Sequence, residues 1–221
     1  EHRVVVITGA NRGLGRALAH AFDSAGAQLV VHARSEASLA PVIAGCSGTP
    51  QVVIGDLRDL TLAARLTEAA ASLGGADLLL LNGAMLGTMG PLGEASLTEF
   101  AEVMAVNVNA QLPLVQSSLP GMKRRGRGVI IWLSSGLGRF GLPGYGAYCA
   151  SKHAIEGLMK VVAEEHTADG IISVAVAPGM VATEMLKVAL GTDDVSEHQS
   201  PEETATAFVA MAQALAPSHS G

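Results

Sequence analysis

Val4-Val5-Val6-Ile7-Thr8-Gly9-Ala10-Asn11-Arg12-Gly13-Leu14-Gly15 decides how the rest of this 221-residue chain is read. Four β-branched residues in succession describe a short strand apolar on both faces. The run stops at Thr8-Gly9. Leu14, Ala17, Leu18, Ala21 and Phe22 then fall at helical spacing, and Gly26 ends the helix. The three glycines of the turn have separate uses. Gly9 permits the tight turn, Gly13 lets backbone approach a pyrophosphate, and Gly15 allows the helix to pack closely on the sheet. The helix start offers unpaired N–H groups and the positive end of its dipole to an anion. No Gly-Lys-Ser/Thr follows, so this is not a P-loop. A plain glycine-rich turn would suffice for one such triplet by itself. Its place between the first strand and the first amphipathic helix favours a phosphate-binding turn.

Outward from this turn the same alternation repeats. Strand-like runs are expected at Val4–Ile7, Leu29–His32, Gln51–Ile54, Leu78–Leu81, Val129–Leu133 and Ile171–Val176. Between them lie helical segments. Ser35 is a plausible cap for one reaching about Ala44, and Asp59 for one carrying Leu62, Leu66, Ala69, Ala70 and Leu73. Ser96-Leu97-Thr98-Glu99 reads as a capping box opening a long helix. Another helix runs from about Tyr148 to Thr167, and Ser200-Pro201-Glu202-Glu203 opens the last. Alternating strands and helices imply an α/β fold: a single doubly wound parallel sheet, Rossmann-like, with helices on both faces and six strands. No linker or composition shift divides residues 1–221, so one domain is expected.

Composition excludes several classes. Apolar residues make up 49% and charged residues 15%, which rules out a disordered chain. The net charge of −6 and the lack of a basic run longer than Lys123-Arg124-Arg125 argue against nucleic acid as a partner. That triplet precedes Gly126 and reads as the solvated end of a helix. The longest uncharged stretch, 103–122, carries Asn107, Asn109, Gln111, Gln116 and two prolines, unsuited to hydrocarbon, so no membrane is expected. No signal-peptide pattern is read. With only Cys46 and Cys149, free thiols and a cytoplasmic location are expected. The seven histidines are scattered, so no metal site is expected.

The residues after the second strand bear on the nucleotide. An NAD-preferring domain places a carboxylate there for the ribose 2′-OH. This chain has Ala33-Arg34-Ser35, and Arg34 together with Arg12 would suit a 2′-phosphate, which points to NADP (NADPH). Glu36 is expected to point into the first turn of its helix. Tyr148 and Lys152 stand four residues apart, on one helix face. A free phenol, with a pKa near 10, is a poor acid at neutral pH. A nearby ammonium would lower it and make it a proton donor to a carbonyl. Ser134-Ser135 ends the fifth strand, on the edge of the sheet where ligands bind. Cys149 beside Tyr148 has no His base in register and reads as a buried thiol.

These residues together resemble the short-chain dehydrogenase/reductase family over essentially the whole chain. The likeness rests on the Thr8–Gly15 loop, Asn107, Ser135, Tyr148-Cys149-Ala150-Ser151-Lys152, and Pro178-Gly179 with Thr183. The resemblance implies a tetrad. Tyr148 would be the general acid/base, and Lys152 would tune it and hold the nicotinamide ribose. Ser135, rather than Ser134, would orient the substrate carbonyl. Asn107 would hold a relay water and bend its helix. It also implies that Asp56 contacts the adenine, that Asn82 lines the adenosine ribose site, and that Pro178, Gly179 and Thr183 border the carboxamide. Asn11, Leu14, Ser35, Leu57, Gly83, Ala84 and Val181 would complete the cofactor's surroundings.

The chain departs from the family pattern in two places. Leu81-Asn82-Gly83-Ala84 stands where Asn-Asn-Ala-Gly is common, which should weaken support on the adenosine side. A seventh strand is not expected, because the chain reaches Ser220-Gly221 soon after Pro217. The segment 184–200, where the family carries its substrate lid, is short and reads as a mobile, solvated loop; Met180, Met185, Leu186, Leu137, Leu142 and Tyr145 could line an apolar pocket. The resulting expectation is an NADP-dependent oxidoreductase, NADPH preferred, interconverting a small-molecule carbonyl and an alcohol, and a homo-oligomer (dimer or tetramer). The alternative is a nucleotide-binding sensor or scaffold of the same fold without turnover.

Overall fold

A computed structural model describes residues 3–221; the first two residues of the expected 1–221 unit lie outside the described residues. The six strands are β1 (Val4–Ile7), β2 (Gln28–Ala33), β3 (Gln51–Ile54), β4 (Leu78–Leu81), β5 (Gly128–Leu133) and β6 (Ile171–Val176). They form one parallel sheet in the order β3-β2-β1-β4-β5-β6. The connection from β3 to β4 reverses direction, so the crevice between β1 and β4 is the switch point at which such sheets bind ligands.

Alternation along each strand divides the core into two layers. Val4, Val6, Leu79, Leu81, Ile130 and Trp132 face α3 (Leu62–Ser72), α5 (Gln111–Arg125) and α6 (Gly146–His166). Val5, Ile7, Leu78, Leu80, Ile131 and Leu133 face α1 (Gly13–Ser24), α2 (Glu36–Ala44) and α8 (Pro201–Ala214). Leu81 thus belongs to the core: an apolar residue at that position is used for packing.

Several helix starts follow the sequence and others do not. Ser200 and Glu203 form the full capping box on α8, with Pro201 in its first turn. Ser35 is at the cap position of α2 but makes no side-chain cap bond. Asp59 accepts from Thr61 N at 2.9 Å, capping the turn before α3. At Ser96 only half of the expected box forms: its oxygen accepts from Glu99 N, while the Glu99 carboxylate bonds Thr88 Oγ1 at 2.9 Å. The expected long helix is two helices, α4 (Leu97–Met104) and α5, joined by π-helical Ala105–Asn109. The π-helical ladder, with Ala110 N donating to Ala105 O, falls where the resemblance assigned a local bend to Asn107.

Two further expectations are corrected. The segment after Thr183 is not a loop throughout: Glu184–Leu190 forms α7, capped by Thr183 Oγ1, which accepts from Leu186 N, and closed by Gly191. The Lys123-Arg124-Arg125 triplet is not merely solvated. Lys123 pairs with Asp169 at 2.9 Å, and Arg125 donates to Ala76 O beneath β4. Along the outer edge of β6, Gly221 N donates to Ser173 O and Ser173 N to Ser220 Oγ, both at 3.1 Å. Among the described residues no helix is long and apolar enough to cross a membrane.

Candidate active site

The glycine turn is built by close approach. Gly9 and Gly13 have φ of +65° and +49°, the left-handed region that favours glycine. A Cβ on Gly15 would lie 2.2 Å from Gly9 O, so any side chain would push α1 off the turn. Arg12, at the cap position of α1, makes no side-chain cap bond, and the first turn holds no acid. The turn is tied to the end of β4. Thr8 Oγ1 accepts from Asn82 N and Gly83 N at 3.1 and 3.0 Å, and Asn82 Nδ2 donates to Thr8 O and Gly9 O at 2.9 and 3.1 Å. The side-chain amide of Asn82 therefore acts as a brace between β1 and β4. Leu57 lies against Gly83 on one flank, and Thr183 against Gly13 on the other. Ala84 continues the β4 end, and Asn11 and Leu14 lie within the turn, all half-buried.

One brace was not foreseen. His32, near the end of β2, is 2% exposed. Its Nδ1 accepts from Gly9 N at 3.3 Å, which leaves the Nε2–H to donate to Gly55 O at 3.0 Å. Burial holds its pKa below the usual histidine value, so the neutral ring that both bonds require is the favoured form. This role depends on β1, β2 and β3 being neighbours, which a scattered histidine in the sequence does not reveal.

Arg34 and Ser35 are exposed at the end of β2, and Glu36 is in the first turn of α2. Asp56, which the resemblance places against the adenine, follows β3 and is paired with Arg58. Arg58 Nε and NH2 bind its two oxygens at 2.9 and 2.8 Å and hold its carboxyl well below the usual range, with Arg34 adding to the effect. An adenine would have to share or displace Arg58.

On α6, Lys152 is 3% exposed; its Nζ donates to Leu133 O at 2.5 Å and lies 5.3 Å from the centroid of the Tyr148 ring. The ammonium is thus over the face of the ring. Burial pushes the Tyr148 phenol up to about 12 against the opposing effect of the facing Ser135 hydroxyl. Burial also lowers Lys152 to about 8. Contrary to the expected lowering by the ammonium, desolvation outweighs the Ser135 hydrogen bond at this phenol. Ser135 Oγ also accepts from Leu137 N at 3.2 Å. Ser134 is turned the other way, donating to Glu156 Oε1 at 2.7 Å, and Arg139 lies 3.4 Å from the same oxygen.

Asn107 is not in direct contact with Tyr148, Ser135 or Lys152 through its side-chain hydrogen bonds. Its Oδ1 accepts from Met85 N at 2.9 Å; its Nδ2 donates to Met85 O at 2.8 Å and to Ser151 Oγ at 3.0 Å. Ser151 in turn donates to Tyr148 O at 2.7 Å. Asn107 therefore couples the segment after β4 to the first turns of α6. Pro178 and Gly179 follow β6, and Val181 is buried and bridges to Gln199. Tyr145 donates through its hydroxyl to Ala189 O in α7, and Gly90 N donates to Gly144 O at 3.0 Å. The segments after β4, β5 and β6 are thereby laced together around the end of the sheet.

Residues 3–193 match the family model described as short chain dehydrogenase. The NADPH-dependent pterin aldehyde reductase of Arabidopsis thaliana is 32% identical over 212 residues, covering 95% of this chain and 87% of that protein. Oxidoreductase YciK of Escherichia coli is 33% identical over 211 residues, covering 91% and 82%. Among solved structures, a short chain dehydrogenase from Shigella flexneri complexed with NADP superposes with a TM-score of 0.84 at 30% identity, covering 91% of this chain and 87% of that one. One from Escherichia coli complexed with NADPH gives 0.83 at 32%, covering 91% and 86%. The switch-point crevice, its glycine turn and these likenesses agree: the chain belongs to the short-chain dehydrogenase/reductase family of oxidoreductases.

Proposed function

We propose that this protein is an NADPH-using reductase, or the reverse dehydrogenase, that interconverts a carbonyl and an alcohol with Tyr148 as general acid/base. The observation that carries this reading is the Tyr148–Lys152 stack on α6, with Ser135 facing the phenol, beside the switch-point crevice. The residues present fit a dinucleotide phosphate. A Cβ would fill the glycine turn, the start of α1 is uncapped, and Arg12 and Arg34 are exposed where Ala33-Arg34-Ser35 offers no competing acid. The NADP and NADPH complexes of the relatives support the same cofactor.

Gly9, Asn11, Arg12, Gly13, Leu14 and Gly15 would hold the pyrophosphate side, and Arg34 with Ser35 the 2′-phosphate. Asp56, Leu57, Asn82, Gly83 and Ala84 would line the adenosine side, and Pro178, Gly179, Val181 and Thr183 the nicotinamide side. When bound, the reduced nicotinamide supplies hydride to the carbonyl carbon. Tyr148 gives its proton to the carbonyl oxygen, and Ser135 donates a hydrogen bond to that oxygen. Lys152 steadies the phenolate left behind until solvent reprotonates it. Asn107, through Ser151, holds the turn of α6 that carries Tyr148.

The test follows loss of NADPH near-ultraviolet absorbance with a panel of aldehydes and ketones. Tyr148→Phe is expected to lower kcat/KM by about 10²–10⁴ while NADPH still binds. Turnover retained in that variant contradicts the assignment. A protein that binds NADPH and reduces nothing in the panel favours the sensor alternative. Arg34→Asp is expected to shift the kcat/KM ratio from NADPH toward NADH, and an unchanged ratio removes Arg34 from the nucleotide argument.

A further inference from the structure

Resting on the reading above, the geometry points to a substrate class: we propose that the site takes an uncharged carbonyl compound with a bulky apolar body, held against Leu92 and Phe140. Three segments leave the carboxyl ends of the sheet on the Tyr148 side, residues 83–95, 136–147 and 177–199. They present large apolar side chains to solvent. Leu92 is 66% exposed and Phe140 56%, with Leu142, Met180 and Val188 also exposed. Single exposed apolar residues are ordinary, but an apolar rim around one crevice marks a binding surface.

Two of these side chains are anchored next to the chemistry. Leu92 lies against Gly146, two residues before Tyr148, where an added Cβ would come within 2.7 Å of Leu92 Cδ1. The Phe140 ring covers Gly136, the residue after Ser135, with Cε1 3.3 Å from an added Cβ. The Gly90–Gly144 and Tyr145–Ala189 hydrogen bonds bring all three segments to the same mouth.

Charge points the same way. The three segments hold two cations, Arg139 and Lys187, against five carboxylates. Arg139 pairs with Glu156, and Lys187 with Glu184 at 2.7 Å. A substrate carboxylate or phosphate would meet surplus negative charge and no uncommitted cation. An apolar body would instead bury surface against Leu92 and Phe140, and a change of this size in a pocket is worth about tenfold to a hundredfold in kcat/KM.

The test uses para-tert-butylbenzaldehyde and para-carboxybenzaldehyde with NADPH. The two share the reacting carbonyl and differ in the distal group. Wild-type protein is expected to favour the tert-butyl compound by about tenfold or more. Leu92→Glu and Phe140→Glu should each remove most of that preference, with NADPH affinity unchanged. Equal or reversed preference in the wild type, or a ratio that neither variant moves, overturns the substrate class. If the carboxylated aldehyde is reduced well and Tyr148→Phe abolishes that, only the substrate class falls and the proposed function stands. If the protein reduces neither aldehyde but does reduce other carbonyl compounds of the panel, only the substrate class falls; if it binds NADPH and reduces none of them, both fall.

Discussion

The Lys152 ammonium donates to Leu133 O, lies over the Tyr148 ring and is almost wholly buried. Its pKa is brought from 10.5 to about 8 by burial. Such a difference corresponds to about 3 kcal/mol. A depressed lysine is protonated in the unfolded chain at a pH where the native state has already released its proton. Stability is therefore reduced below about pH 8, and the loss is recovered as pH rises from about 8 toward 10.5. Lys152→Met is expected to be more stable than the wild type by about 1–3 kcal/mol at pH 7 in urea unfolding, and inactive. Over the same range, kcat/KM for reduction should fall above about pH 8 as the ammonium is lost, and Lys152→Arg, charged throughout, should show no such limb. At this scale the sequence was partly legible. The four-residue spacing of Tyr148 and Lys152 was readable, since helix periodicity is local, whereas Ser135 was set apart from Ser134 only by the family resemblance. The polarity of the phenol's surroundings was not readable, because desolvation is set by everything packed around it. His32 was hidden for a related reason: its two partners, Gly9 and Gly55, lie 23 residues away in opposite directions.

The six strands match their sequence runs to within one residue at either end, because each is a short apolar run closed by a turn. The π-helical segment Ala105–Asn109 was legible only through the family resemblance, which selects Asn107, since a ladder irregularity leaves no periodic trace in five residues. Helix α7 was missed for its length: seven residues give fewer than two turns of pattern. The bend and Asn107 act together, because the irregular ladder aims the amide at both backbone groups of Met85. Asn107→Leu would leave the N–H and carbonyl of Met85 without these partners. It is expected to cost about 2–4 kcal/mol in stability. It should also lower kcat more than it raises the KM for NADPH, since the coupling runs to Ser151 and Tyr148 rather than to the glycine turn. A kcat within twofold of wild type would remove Asn107 from the positioning role.

For the whole molecule, the floor and the mouth of the crevice differ in how they are held. The floor is β1, β4 and β5, buried in two apolar layers and braced by Asn82 and His32. The mouth is joined mainly by single bonds, Gly90 to Gly144, Tyr145 to Ala189, and Val181 to Gln199. Hydrogen exchange should report this directly. Amides of β1, β4 and β5 are expected to exchange at least about a hundredfold more slowly than those of 86–95, 136–145 and 184–199. Equal protection would mean that the mouth opens only with global unfolding. The two-layer core was legible because the strand runs are apolar on both faces, while the lacing of the mouth was not, since it joins glycines and a tyrosine that have no shared pattern. A rim fastened at so few points can diverge freely over evolutionary time. Insertions and replacements should collect there and alter which molecules are admitted, while the apparatus beneath is inherited intact.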